Sequence, residues 1–211
     1  MNEDQEYIYE MIVNKVRMGF DPKEIIQEMI LEQVEDEELE DEVSEDWINE
    51  TVAAEFKKVK QESKTWSHPT DPEKLAKAFD ELCAQNIIAL HNAGFETSDG
   101  EQEVVDIEIQ LRDNGKQSDG YCFYHEQDLE RAIDPDSKNL MIAFQKINNS
   151  DDAVTLAVGK IVAAKLREHG FTIRWDENPQ QKIEIVDINW HKQYNEDDEA
   201  HFEHARVLDL L

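Results

Sequence analysis

The sequence predicts an α+β fold in which an acidic all-helical segment precedes a mixed five-stranded sheet packed with helices. Three observations carry this expectation. Before about residue 70 the apolar residues recur only at helical spacing. Short alternating or continuous apolar runs, the mark of strands, appear only after it. Beyond that point strands and helices interleave without a repeating unit.

In the amino-terminal third, Ile8, Met11, Ile12, Lys15 and Val16 lie on one helical face, and Gly19 can end that helix. Asp21-Pro22 then offers an N-cap with proline at the first helical position. The second helix carries Ile25, Ile26, Met29, Ile30 and Val34. An acidic run from Glu35 leads into a third helix striped by Trp47, Ile48, Val52, Phe56 and Val59, ending near Gln61. Met18-Gly19-Phe20 resembles the exposed loop of ubiquitin-associated domains, but core packing around a capping glycine is the more economical reading. The linker Ser63 to Pro69 sets the expected domain boundary: an acidic helical domain over 1–69 and an α+β domain over 70–211.

Asp71-Pro72 repeats the start signal, and Leu75, Ala78, Phe79, Leu82 and Cys83 form the cleanest amphipathic stripe of the chain. Ile87 to Leu90 reads as a buried strand. Val104 to Leu111 fits both periods, and Ser98-x-x-Glu101, a capping-box pattern, tips it to helix. Tyr121 to Tyr124, Leu140 to Phe144, Phe171 to Trp175 and Ile183 to Trp190 complete five strands. Gln127 to Ile133 is a polar helix. Ala153 to Leu166, between Asp151 and Gly170, is apolar around much of its circumference and should pack centrally on the sheet with the helix that starts at Pro72.

The 211 residues include 50 acidic and 21 basic side chains, a formal net charge of −29. Residues 1–69 hold 20 of the acids and 7 of the bases, so negative charge is densest there. Nucleic-acid binding is improbable, because it draws on clustered Lys and Arg and no basic stripe exists. The acidic run suits a basic protein partner instead. Cys83 and Cys122 sit in apolar stretches and read as buried reduced thiols, which fits a reducing compartment. No leader pattern opens the chain and no apolar run reaches the length of a membrane span, so a cytoplasmic protein is expected.

Gly120 to Ala132, GYCFYHEQDLERA, resembles a block of a bacterial domain family of unknown function. Its other pieces are Ile87 to Gly100, the apolar helix Ala153 to Leu166, and the closing strand Gly170 to Trp175. The resemblance spans about residues 72 to 191 and leaves the acidic helices outside. It implies a shared fold and a bacterial origin and brings no activity.

Within that block His125 should stand at the carboxyl end of a strand and the amino end of a helix, where free amides often bind ligands. Asp128 and Arg131 follow at helical spacing, so Asp128 can orient the imidazole. If the strands ending at Tyr124 and Trp175 were parallel neighbours, Tyr124, His125, Asp128, Arg131 and Trp175 would line one cleft, with Asn92 and Asp99 reaching in from the loop after the first strand. The alternative is that His125 or Asp128 caps the helix and Tyr124 fills core. His201 and His204, near Glu196 to Glu199, are weak metal candidates, since they lack a second matching element. No cofactor is expected: the chain has no Gly-rich phosphate loop, no nucleophile elbow and no H-E-x-x-H helix. A non-enzymatic interaction module therefore ranks first, and a small-molecule binder or enzyme using His125 second.

Overall fold

The computed structural model describes residues 1–196 and 202–211. The chain divides into two compact units, Met1–Thr70 with a stretch beginning at Trp190, and Asp71–Asn189 with the carboxyl-terminal helix.

The first unit holds α1 (Glu3–Met18), α2 (Lys23–Asp36), α3 (Glu45–Glu62) and a 3₁₀ turn, Ser63–Thr65. Asn2 caps α1 by accepting from the Gln5 amide at 2.7 Å, and Gly19 ends it with φ of 72°. Pro22, extended at ψ 161°, occupies the N-cap of α2, so that helix starts one residue after the expected position. Ile8, Ile12, Val16, Ile26, Ile30, Val34, Ile48, Val52 and Val59 form the shared core. The stretch from Trp190 belongs to this unit, whereas the sequence places it with the α+β domain. The last strand ends at Val186, and Trp190 donates from Nε1 to the Met18 carbonyl at 3.1 Å while its ring lies against Phe20. Lys192 sits over the Phe20 ring, so Met18-Gly19-Phe20 is covered by its own chain and is not an exposed loop.

The second unit runs α4 (Asp71–Cys83), β1 (Ile87–Leu90), α5 (Thr97–Asp113), β2 (Gly120–Phe123), α6 (Glu126–Ile133), β3 (Leu140–Gln145), α7 (Asp152–Glu168), β4 (Thr172–Arg174), β5 (Ile183–Val186) and α8 (His204–Leu210). The sheet order is β1-β2-β3-β5-β4, with β1 and β2 parallel and every other pair antiparallel. This is the expected mixed five-stranded sheet, and the chain is α+β.

Strand alternation assigns the two faces. Cys122, Ile142, Phe144, Ile183 and Ile185 point to the side where α4 and α7 pack. There Gly159 lets α7 approach so closely that a Cβ on it would lie 2.5 Å from the Phe144 ring. Val158, Val162 and Leu166 of α7 are buried on this side, each worth about 1.5–3 kcal/mol relative to exposure. Tyr121, Phe123 and Ala143 point to the other side, where Gly100 of α5 meets the Phe123 ring. The α5 helix opens two residues before the expected capping box. Asp99 Oδ2 accepts from the Phe95 and Glu96 amides at 3.1 and 3.0 Å, because the left-handed Gly94 (φ 66°) turns the chain early.

Candidate functional site

Residues 124 and 125 leave β2 facing opposite ways. Tyr124 is fully buried toward α4, where its hydroxyl lies 3.1 Å from His91 Nδ1 and its ring near Phe79. His125 turns to the α5 side and caps α6: its Nδ1 accepts from the Asp128 amide at 3.3 Å. Its Nε2 lies 3.0 Å from Asp128 Oδ2, 3.1 Å from Thr97 Oγ1 and 2.8 Å from Lys182 Nζ. Lys182 also reaches Asp128 Oδ2 at 2.7 Å, and Arg131 stands 3.9 Å from Oδ1. Asp128 is 1% exposed and His125 4%, so this is a buried ion-paired cluster with Arg131 at its rim.

The sheet register explains how Lys182 arrives. Ile183 pairs with Ile142, so Lys182 comes level with Ala143, whose β2 partner is Phe123. Lys182, Ala143, Phe123 and His125 thus share one face, and the small Ala143 leaves room for the lysine stem to cross β3. Thr97 and Lys182 were not legible as site residues. Lys182 precedes a strand 54 residues beyond Asp128, and only the β3-β5 pairing brings it near.

The hydrogen bonds fix what the imidazole can do. A Nδ1 that accepts from a backbone amide leaves the ring proton on Nε2, where it donates to Asp128. With Nδ1 engaged by the amide, Nε2 offers no lone pair to Thr97, and the Lys182 ammonium beside it directs its proton to Asp128 Oδ2 instead, so Thr97-His125-Asp128 is not wired as a nucleophile-base relay. Burial pulls the His125 pKa below its ordinary value, opposed by Asp128 and assisted by Lys182 and Arg131.

The helix end expected to present free amides is closed. Glu126 and Gln127 donate to the Gly94 and Phe95 carbonyls at 3.0 and 3.2 Å, and the Asp128 amide goes to His125. Trp175 does not join His125. Three antiparallel pairings separate β2 from β4, so the two strands run oppositely, and β3 and β5 lie between them. Trp175 packs edge-on to Phe144 on the α7 face and donates from Nε1 to the Asn178 and Gln181 carbonyls. The condition for one cleft, parallel neighbouring strands, is not met. Asp99 is occupied at the start of α5, and Asn92, at φ 45°, buries an Oδ1 that has no hydrogen-bond partner among the described residues.

His201 lies outside the described residues. His204 directs Nδ1 to Glu103 at 2.5 Å and Nε2 to the His91 carbonyl at 2.7 Å, so neither ring nitrogen is left for a metal. Cys83 and Cys122 are free and buried, and burial pushes the Cys83 thiol up to about 11.

The other candidate surface is the link from α2 to α3. Between Glu35 and Glu50 stand ten carboxylates and no Lys or Arg, and all ten are exposed. Val43 (1% exposed) and the partly buried Leu39 anchor this link in the helical core, which forces the acids between them outward. Among the described residues none of the ten carboxylates forms an ion pair. Glu37 and Glu42 instead accept from the neutral groups of Tyr7, Gln33 and Asn2.

A family model described as a domain of unknown function, DUF6891, matches residues 1–194. The chain belongs to that family. Its domain includes the acidic helices, which the sequence resemblance leaves outside, and stops short of α8. No curated protein and no solved structure matches the chain. Among the described residues no helix is long and apolar enough to cross a membrane.

Proposed function

We propose that the protein is a non-enzymatic interaction module of the bacterial cytoplasm whose α2-α3 link receives a basic protein partner. One observation carries this reading: the carboxylates of Glu35 to Glu50 are exposed and, among the described residues, have no cationic partner. Their placement also works against stability. The last turn of α2 holds Glu35 and Asp36 and no basic residue, although carboxylates at a helix carboxyl end cost about 0.3–1 kcal/mol each at low salt. Leu39 and Val43 hold the arc in place, so a partner meets preorganised charge and loses little free energy in ordering it.

The test uses a lysine- and arginine-rich peptide as probe. The fivefold variant Glu37→Gln, Glu38→Gln, Glu40→Gln, Asp41→Asn and Glu42→Gln should weaken binding by about tenfold at low salt, and added salt should erase the difference. A control neutralises Asp106, Asp113, Asp119, Asp136 and Glu177 of the α+β unit, all exposed. Equal loss in both variants would reduce the effect to net charge and overturn the assignment to this link.

The second reading, a small-molecule site at His125, is favoured by one feature, the Lys182 and Arg131 cations that flank Asp128 in so acidic a chain. It ranks second because the α6 amides are closed and His125 Nδ1 is engaged by the Asp128 amide.

A further inference from the structure

The carboxyl-terminal segment lies beyond the family domain yet covers part of it. α8 packs against α4, α5 and β1, and β1 is an edge strand of the sheet. Phe202 meets the His91 ring edge-on at 4.9 Å, and His91 in turn stacks on Phe79 at 4.5 Å. Val207 and Leu210 close over Cys83 and Ala89 around a small cavity. Arg206 clamps Asp80 with two bonds, 2.6 and 2.8 Å. The groove is therefore built by the domain, and its occupant is this chain's own tail.

His204 holds the tail in a way that depends on its proton count. Its two ring nitrogens face two acceptors, the Glu103 carboxylate and the His91 carbonyl. Only the doubly protonated imidazolium donates to the His91 carbonyl and at the same time pairs its charge with the Glu103 carboxylate. A neutral ring turns a lone pair toward one of these oxygens and gives up either the charge pairing with Glu103 or the hydrogen bond to His91. We propose that residues 202–211 form a proton-latched cover, seated over the α4-β1-α5 groove while His204 carries both ring protons and released when it loses one.

The charged and titratable groups facing His204 are Glu103 from α5, His91 from the end of β1, Asp80 and Cys83 from α4, and Glu203 and Arg206 from its own segment. Burial alone pulls the His204 pKa down, but the bonds to Glu103 and the His91 carbonyl outweigh it, and the net shift is upward. For a raised histidine the stabilisation is full below the ordinary value near 6.5 and is lost as pH rises through the higher folded value. The cover is thus shut in mild acid and opens toward alkaline pH.

Cys83 reports opening because it lies under the cover, and Cys122 in β2 reports global unfolding because it is buried in the sheet. The full chain is labelled in its native state with a thiol reagent at a series of pH values, and mass spectrometry reads the two cysteines separately. Each rate is divided by that of a free thiol at the same pH. Between about pH 6 and pH 9 the protection of Cys83 should fall about tenfold while that of Cys122 holds. His204→Gln, which cannot gain a proton, should give lower Cys83 protection that no longer varies with pH. Glu103→Gln should move the fall to lower pH. Flat protection in the parent chain, the same slope in His204→Gln, or loss of Cys122 protection in step with Cys83 would each overturn the latch.

Discussion

Two regions of the molecule, the ion-paired sites of the α+β unit and the α2-α3 link, treat carboxylates in opposite ways. In the α+β unit the buried Asp128 is surrounded by Lys182, His125 and Arg131, Glu108 is bound by Arg112, and Asp80 is clamped by Arg206. In the helical unit, the arc from Glu35 to Glu50 carries more carboxylates than all of these and, among the described residues, pairs none with a cation. The contrast teaches that net charge alone says little about where a field is available. A carboxylate wired to a cation is part of the fold, whereas an exposed run without cations projects its field into solvent.

The largest effect that would sharpen this contrast comes from Asp128→Ala. It leaves Lys182 and Arg131 facing a site without its anion, so urea unfolding should show a loss of about 3 kcal/mol or more. Asp128→Asn keeps the shape and should lose less. An effect below about 0.5 kcal/mol, the range of ordinary surface substitutions, would erase the distinction between wired and free carboxylates.

Next comes His125→Ala, expected to cost about 1–2 kcal/mol through the lost cap, with His125→Asn recovering most of it because Asn also accepts from the amide. The pH dependence has a defined sign. A histidine with a depressed folded pKa prefers the neutral ring, so its contribution is full above the ordinary value near 6.5 and declines as pH falls below it. Urea midpoints should therefore drop on mild acidification in the parent chain and stay level in His125→Asn. This is opposite in sign to the dependence argued for His204.

The smallest effect probes the other side of the contrast. Asp36→Lys removes an unpaired carboxylate from the last turn of α2 and puts a cation at the negative helix end, and should stabilise the chain by about 0.3–1 kcal/mol in thermal melts at low salt. Destabilisation instead would mean that Asp36 has a structural role, and the arc would no longer stand as a surface free of folding duty.

Local order was legible in the sequence because each element carries its own period and punctuation. All five strands appear where apolar runs meet turn residues, and α4 and α7 lie where proline or aspartate starts and helical spacing coincide. What could not be read depends on pairings between distant segments. The placement of β5 between β3 and β4 sends Trp175 away from His125 and brings Lys182 to it, and nothing local to either residue encodes that. In the sequence the acidic run shows only its charge, because Leu39 and Val43 are isolated in it and mark no element. Their spacing of four places both against the helical core, and only the packed helices show it.

The same strand order has a consequence for how the sheet is assembled. β4 precedes β5 in the chain yet lies outside it, and its sole strand partner is β5. As the polypeptide is made, β4 emerges with nothing to pair with, and the open side of β3 at Leu140–Ile142 waits for a segment some forty residues downstream. β3 is already paired with β2 on one side; only when Ile183 to Val186 slots in are its open side and β4 paired together. Closure of the sheet thereby depends on the strand whose neighbour is Lys182, so the sheet and the ion cluster around Asp128 require the same segment.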